Sequence, residues 1–228
     1  MSGYRSAGLH AHGASQAAAG ALIRWPVRYD VLTAAVLAGR SRALRRCFVE
    51  LLEVGPGRRV LDVGCGTGTL ALHLAGVVRP SGWVVGVDAA VEMVAVAAAR
   101  TRRRRRAPAG FAVAAAQRLP FPDGRFDAVL TSLVLHHLPA PNRAGAVAEL
   151  LRVLRPGGRL VLADFRPPAG RAGRAVAHHL LGPGMAGSNV AAIADLVRHA
   201  GAVEVAQLPT PVGWLGAVVA RAPHPSDR

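Results

Sequence analysis

Apolar residues along this chain fall into two kinds of run. Short, almost continuous runs rich in Val and Leu occur at Arg59 to Val63, Trp83 to Val87, Phe111 to Ala114, Phe126 to Leu130 and Arg159 to Phe165. Runs of that length and composition predict strands buried on both faces. Between them apolar positions recur at helical spacing, over Leu70 to Val77, Ala90 to Arg100 and Ala144 to Leu154. Ahead of the first strand, Ser41 to Glu53 reads as a helix presenting Leu44, Phe48, Leu51 and Leu52 to a core, and Gly55, Pro56 and Gly57 make a turn. Strands alternating with helices predict an α/β fold, a mostly parallel sheet with helices on both faces. After the breaker Pro167 to Gly170 comes a less regular segment with His178, His179, Pro183 and Met185, then a helix at Ala191 to Ala200. Val203 to Leu208 and Gly213 to Arg221 follow, separated by Pro209 and Pro211, and pair most easily as an antiparallel hairpin. Residues 1–24 lack either pattern and read as a flexible tail. Residues 25–228 then form one domain, as the 228-residue length favours.

Composition narrows the class. The most hydrophobic region is interrupted by Asp88 and Glu92, so no run reaches the roughly 18 apolar residues of a membrane span. The first 29 residues hold no acid, yet they have no compact apolar segment or cleavage site, which argues against a targeting peptide. Cys47 and Cys65 stand alone, so neither a disulfide framework nor a zinc site is expected, and a reducing cytoplasm fits. The net charge of +15 comes wholly from arginine, since the chain has no lysine. Such a field favours anionic surfaces or acidic molecules. Its densest part is Arg100 with Arg102, Arg103, Arg104, Arg105 and Arg106. That run reads either as a solvated helix end or as a patch for RNA or anionic lipid. No aromatic residue interleaves it to stack on bases.

The candidate chemistry begins where Val60, Leu61, Asp62 and Val63 run into Gly64, Cys65, Gly66, Thr67 and Gly68. A glycine-rich turn between strand and helix lets a ligand approach the backbone. The spacing is not that of dinucleotide binders, and no Gly-Lys-Ser/Thr ending for a triphosphate is present. Asp62, directly before the glycines, opposes a pyrophosphate and attracts an ammonium or sulfonium, the two cationic groups of S-adenosylmethionine. Asp88 ends the next strand. Its carboxylate suits a pair of ribose hydroxyls, or else it caps the helix beginning near Ala90. Replacing Asp88 with Asn is expected to keep the cap while lowering cofactor affinity, with little change in the ligand-free melting temperature.

Four segments resemble, in order, the motifs of class I S-adenosylmethionine-dependent methyltransferases: Val60 to Gly68, Gly86 to Met93, Leu119 to Val129 and Leu151 to Leu162. Tyr29, Asp30 and the helix after them are similar to the leading region of menaquinone and ubiquinone C-methyltransferases. The resemblance implies a Rossmann-like, seven-stranded, mostly parallel sheet whose last strand is antiparallel. It places the cofactor over the carboxyl ends of the first strands. The residues it implies there are Asp62, Gly64, Cys65, Gly66, Thr67, Gly68, Asp88, Ala89, Met93, Ala116, Gln117 and Ser132. Met93 serves either the adenine face or the core. Ala115 stands where many relatives carry an Asp for the adenine amine, leaving Gln117 or backbone groups to that task. The segment Thr131 to His137 lacks the Asn/Asp-Pro-Pro-Tyr/Phe of base and glutamine N-methyltransferases.

Methyl transfer from a sulfonium is an in-line displacement, and alignment supplies much of the rate. A base matters only where the acceptor must lose a proton. His136 and His137 follow the fourth strand and suit that role, with packing as the alternative. Tyr29 is a candidate for closing over the acceptor, and His178 and His179 either belong to an acceptor lid, with His178 the candidate acceptor contact, or lie on a helix surface. Trp214 reads as core rather than platform. The sequence therefore points to methylation of a small lipophilic or aromatic acceptor, a quinone precursor or secondary metabolite. The competing expectations are an RNA methyltransferase using the arginine run and a non-catalytic cofactor-binding regulator.

Overall fold

A computed structural model describes residues 23–37, 39–104, 107–166, 189–224 and 226. The first 22 residues of the expected tail, Arg105, Arg106, His178 and His179 lie outside the described residues. Two helices lead, α1 (Pro26–Val36) and α2 (Ser41–Leu52), and then the alternation begins. It runs β1 (Arg59–Val63), α3 (Thr69–Val77), β2 (Trp83–Asp88), α4 (Val91–Arg103), β3 (Ala109–Val113) and β4 (Phe126–Ser132). A 3-10 turn at Leu135–His137 leads to α5 (Ala140–Arg152) and β5 (Leu154–Phe165). The described chain closes with α6 (Val190–His199), β6 (Val203–Pro209) and β7 (Leu215–Arg221).

The seven strands form one sheet in the order β3-β2-β1-β4-β5-β7-β6. The first five pair in parallel, and β7 inserts antiparallel between β5 and β6. The order reverses between β1 and β4, and loops leaving neighbouring strands there diverge to open a crevice at their carboxyl ends. Side-chain alternation splits the sheet between two cores. Leu61, Val129, Leu160 and Val218 face α5 and α6, where Leu150, Ile193 and Val197 are buried. Val60, Val84, Leu130 and Val161 face α2 and α3, where Phe48, Leu52 and Leu74 are buried.

Several elements are displaced from their sequence-based bounds. Helix α5 begins at Ala140 rather than Ala144 because Pro141 fits the first turn, where its missing N–H is no loss. Strand β5 starts at Leu154, five residues early, with an irregularity in its pairing between Phe126 and Ala128 on β4. Helix α4 continues through Arg102 and Arg103 instead of ending at Arg100.

Candidate functional site

The loop after β1 is fixed by the protein's own packing. Gly64 has φ +73°, and a Cβ there would come within 2.1 Å of Val134 in the loop after β4. Gly68 has φ +77°, and a Cβ would press to 2.8 Å on both Ala97 of α4 and Phe111 of β3. Both positions demand the left-handed conformation that glycine adopts without penalty. Asp88 locks this loop to the next one. Its Oδ2 accepts the Gly66 N–H and its Oδ1 accepts the Ala90 N–H, each at 2.9 Å. The ribose and capping readings of Asp88 therefore share one side chain. An Asn there can accept only one of these two N–H groups, so the geometry points to a lower ligand-free melting temperature where the sequence led to an expectation of little change.

At the carboxyl ends of β1, β2 and β4 lies a cleft lined by Gly64, Gly66, Asp88, Ala89, Met93 and the stretch Ala114 to Gln117. Ser132, Leu133, Val134, His137 and Tyr29 also line it. Of the residues singled out in the sequence, Ala116 and Gln117 also meet here. Asp62, Cys65 and Thr67 do not line the cleft; they face a second cavity beside it, while Gly68 lines neither. Cys65 is buried, which drives its thiol pKa up. Thr67 Oγ1 donates to Asp30 Oδ1 at 2.7 Å. Burial raises the Asp62 pKa to about 7, with the nearby Asp88 charge adding to it and the Ala71 N–H opposing. Its Oδ2 is buried with no partner. Asp88 is also raised by burial, against the two N–H groups it accepts.

Gln117 is held by a network behind it. The loop bends through an Ala115–Arg118 bridge. Arg152 on α5 donates to the Leu119 and Phe121 carbonyls, and Glu149 accepts the Leu119 N–H at 2.8 Å. Both polar atoms of the Gln117 amide are nonetheless buried without a partner. A buried unsatisfied amide is costly, so a ligand group is the natural complement.

The two histidines divide. His137 lines the cleft, and its pKa falls to about 4 because burial, and then the neighbouring His136, disfavour its cation. His136 turns away from the cleft. Its Nδ1 lies 2.9 Å from Asp164 Oδ1, with both side chains buried, and its N–H donates to Asp164 Oδ2 at 3.2 Å. Phe165 packs edge-on against His136 and stacks on Trp214. The Asp164 carboxylate opposite Nδ1 fixes the orientation of the His136 ring. Asp164 was missed in the sequence, because only the pairing of β4 with β5 brings it to His136, 28 residues away. An acid at the end of an otherwise apolar strand was the available signal.

Tyr29 comes from α1 and lies over Gly66, whose Cβ would meet its ring at 3.3 Å. Burial raises the Tyr29 pKa, so the phenol stays protonated. Helix α1 is anchored by an Arg100–Asp30 ion pair, with Arg100 also donating to the Thr67 carbonyl at 3.1 Å.

A reversed-order sheet of seven strands with its antiparallel insertion, and a cleft over β1, β2 and β4, is the class I methyltransferase fold. Residues 60–158 match the sequence model of a methyltransferase domain. The chain is similar to the ubiquinone/menaquinone biosynthesis C-methyltransferase UbiE of Ectopseudomonas mendocina, 38% identical over 142 residues. That match covers 62% of this chain and 55% of the relative, so the chain spans little more than half of that relative's length. Among solved structures, a SAM-dependent methyltransferase from Aquifex aeolicus superposes with a TM-score of 0.69 at 20% identity, covering 87% of this chain and 98% of that one. The [4+2]-cyclase SpnF superposes with a TM-score of 0.66 at 23% identity, covering 79% and 80%. The fold is thus shared by proteins with different chemistry, and the residues of the cleft carry the functional argument. Among the described residues no helix is long and apolar enough to cross a membrane.

Proposed function

We propose that the protein transfers a methyl group from S-adenosylmethionine to a small apolar or aromatic acceptor. The observation that carries this reading is the unpartnered Gln117 amide in the cleft. An amide offers a donor beside an acceptor, matching the amine and ring nitrogen along the edge of adenine. Met93 and the Ala114 to Ala116 backbone wall supply apolar contacts for the ring faces. Each Asp88 oxygen keeps a second lone pair for a ribose hydroxyl. Gly64 and Ser132 flank the place where the methionine end would lie.

The cofactor, when bound, supplies a methyl group on an already activated sulfonium. The chain orients and encloses: Tyr29 over Gly66 limits water, and Leu133 and Val134 face the reacting end. His137 is neutral at pH 7 and lies in the cleft, where its ring can accept a hydrogen bond at the reacting end; its lowered pKa makes it a weak base, and methyl transfer by alignment needs none. His136, held by Asp164, packs against it with ring centroids 4.0 Å apart and fixes its position. The naming of UbiE relatives supports a quinone precursor as acceptor, with an aromatic secondary metabolite as the alternative. Such an acceptor fits a cytoplasmic protein. Methylation of RNA is a second reading, favoured by the exposed Arg102, Arg103 and Arg104.

The test is to incubate the purified chain with methyl-labelled cofactor and a panel of hydroxyaromatic and quinol compounds. Label in the organic extract with release of S-adenosylhomocysteine is expected. Label confined to added RNA would favour the second reading, and no S-adenosylhomocysteine at all would reject both.

A further inference from the structure

The second cavity, about 550 Å³, is framed by α1, α2, the start of α3 and the end of α4. That volume is in the range of small-molecule sites. It shares Tyr29, Gly64, Ser132 and Leu133 with the cleft, so the two spaces meet where the cofactor's methionine end is placed. Leu37, Leu44 and Phe48 give it an apolar wall, each less than a tenth exposed.

Its charged residues are of two kinds. Arg100 is consumed by Asp30, the Thr67 carbonyl and Thr69. Arg45, Arg103 and Arg104 also line the cavity, and none has an acidic partner among the described residues. Arg45 lies on α2 and Arg104 just after α4, so two separate elements bring guanidiniums to the lining of this one cavity. Unpaired guanidiniums gathered from two elements repel one another, and an anion between them removes that cost. Independently, the Oδ2 of Asp62 is buried and unpartnered in a residue only 2% exposed that lines this cavity. A hydroxyl of a bound ligand, able to donate or accept, would complement it.

Building on the methyltransferase reading, we propose that this cavity is the acceptor site and that it takes an apolar ring or chain bearing an acidic group. The acidic group sits between Arg45 and Arg104, the apolar body lies on Leu44 and Phe48, and the inner end reaches the methyl donor past Leu133. A hydroxyl or N–H at that inner end satisfies Asp62.

Two fluorescent probes with one ring system separate charge from apolar fit: naphthylacetate and naphthylethanol. Anisotropy titrations should show naphthylacetate binding roughly tenfold tighter or better, as a charge-assisted contact implies. In Arg45→Gln/Arg104→Gln that preference should shrink to about threefold or less. In Ala34→Trp, which fills the mouth from an exposed helical position, both probes should weaken about tenfold. S-adenosylhomocysteine, titrated in parallel by calorimetry, should bind all three proteins alike. Equal binding of the two probes by the wild type, or no binding of either, overturns the proposal, as does an acid preference that survives the double substitution. Should S-adenosylhomocysteine fail to bind while the acid preference holds, the methyltransferase reading falls and the anion site stands.

Discussion

At Asp62 a single side chain links folding to pH. Its folded pKa of about 7 lies above the ordinary value of 3.8, so the unfolded chain releases this proton first. Stability from Asp62 is therefore complete below about pH 4 and is lost as pH rises towards 7. His137 acts in the opposite sense: with its pKa lowered from 6.5 to about 4, it contributes stability at neutral pH that is lost as pH falls through that window. The two trends offset in the whole protein, and a substitution separates them. Asp62→Asn should raise the ligand-free melting temperature at pH 8 by about 4–8 °C, corresponding to roughly 2 kcal/mol in a chain of this size. The gap should close towards pH 4. Melting curves whose difference is the same at every pH would show that Asp62 is not held protonated.

Between elements, Asp88 joins the loop after β1 to the start of α4. In Asp88→Asn an NH2 group must face either the Gly66 or the Ala90 N–H, leaving one donor unmatched. Losing a hydrogen bond to a charged group costs about 1.5–3 kcal/mol, so the ligand-free melting temperature should drop by about 3–12 °C. An unchanged melting temperature by scanning calorimetry would mean that the two bonds carry no weight in the fold. This coupling explains what the sequence made legible. The strand β1, the glycines and Asp88 announce themselves because each answers to local geometry: a buried run, a left-handed turn, a strand end. The shift in the start of α5 and the extension of β5 depend on Pro141 and on pairing with β4, which a linear pattern does not display. The facing of Asp62, Cys65 and Thr67 towards a cavity other than the cleft follows from how α1 and α2 cover the loop. That packing is tertiary.

Across the whole molecule, 28 arginines face 13 acids, so many guanidiniums have no carboxylate available to pair with. Arg100 fastens α1, Arg152 fixes the loop carrying Gln117, and Arg45, Arg103 and Arg104 gather at the second cavity. The methyltransferase fold was legible because segments resembling its motifs lie in order along the chain. The His136–Asp164 pair and the second cavity arise from residues far apart in sequence, so only the fold reveals them. The proposed cofactor role of the cleft rests most heavily on Gln117, whose amide is buried without a hydrogen-bond partner. Gln117→Met keeps the length of the side chain and removes both polar atoms, which relieves the ligand-free protein instead of straining it. Calorimetric titration with S-adenosylhomocysteine should show wild-type binding that weakens about tenfold or more in Gln117→Met, with the ligand-free melting temperature unchanged or higher. Equal affinity in the two proteins, or no binding by the wild type, would contradict the cofactor site described here.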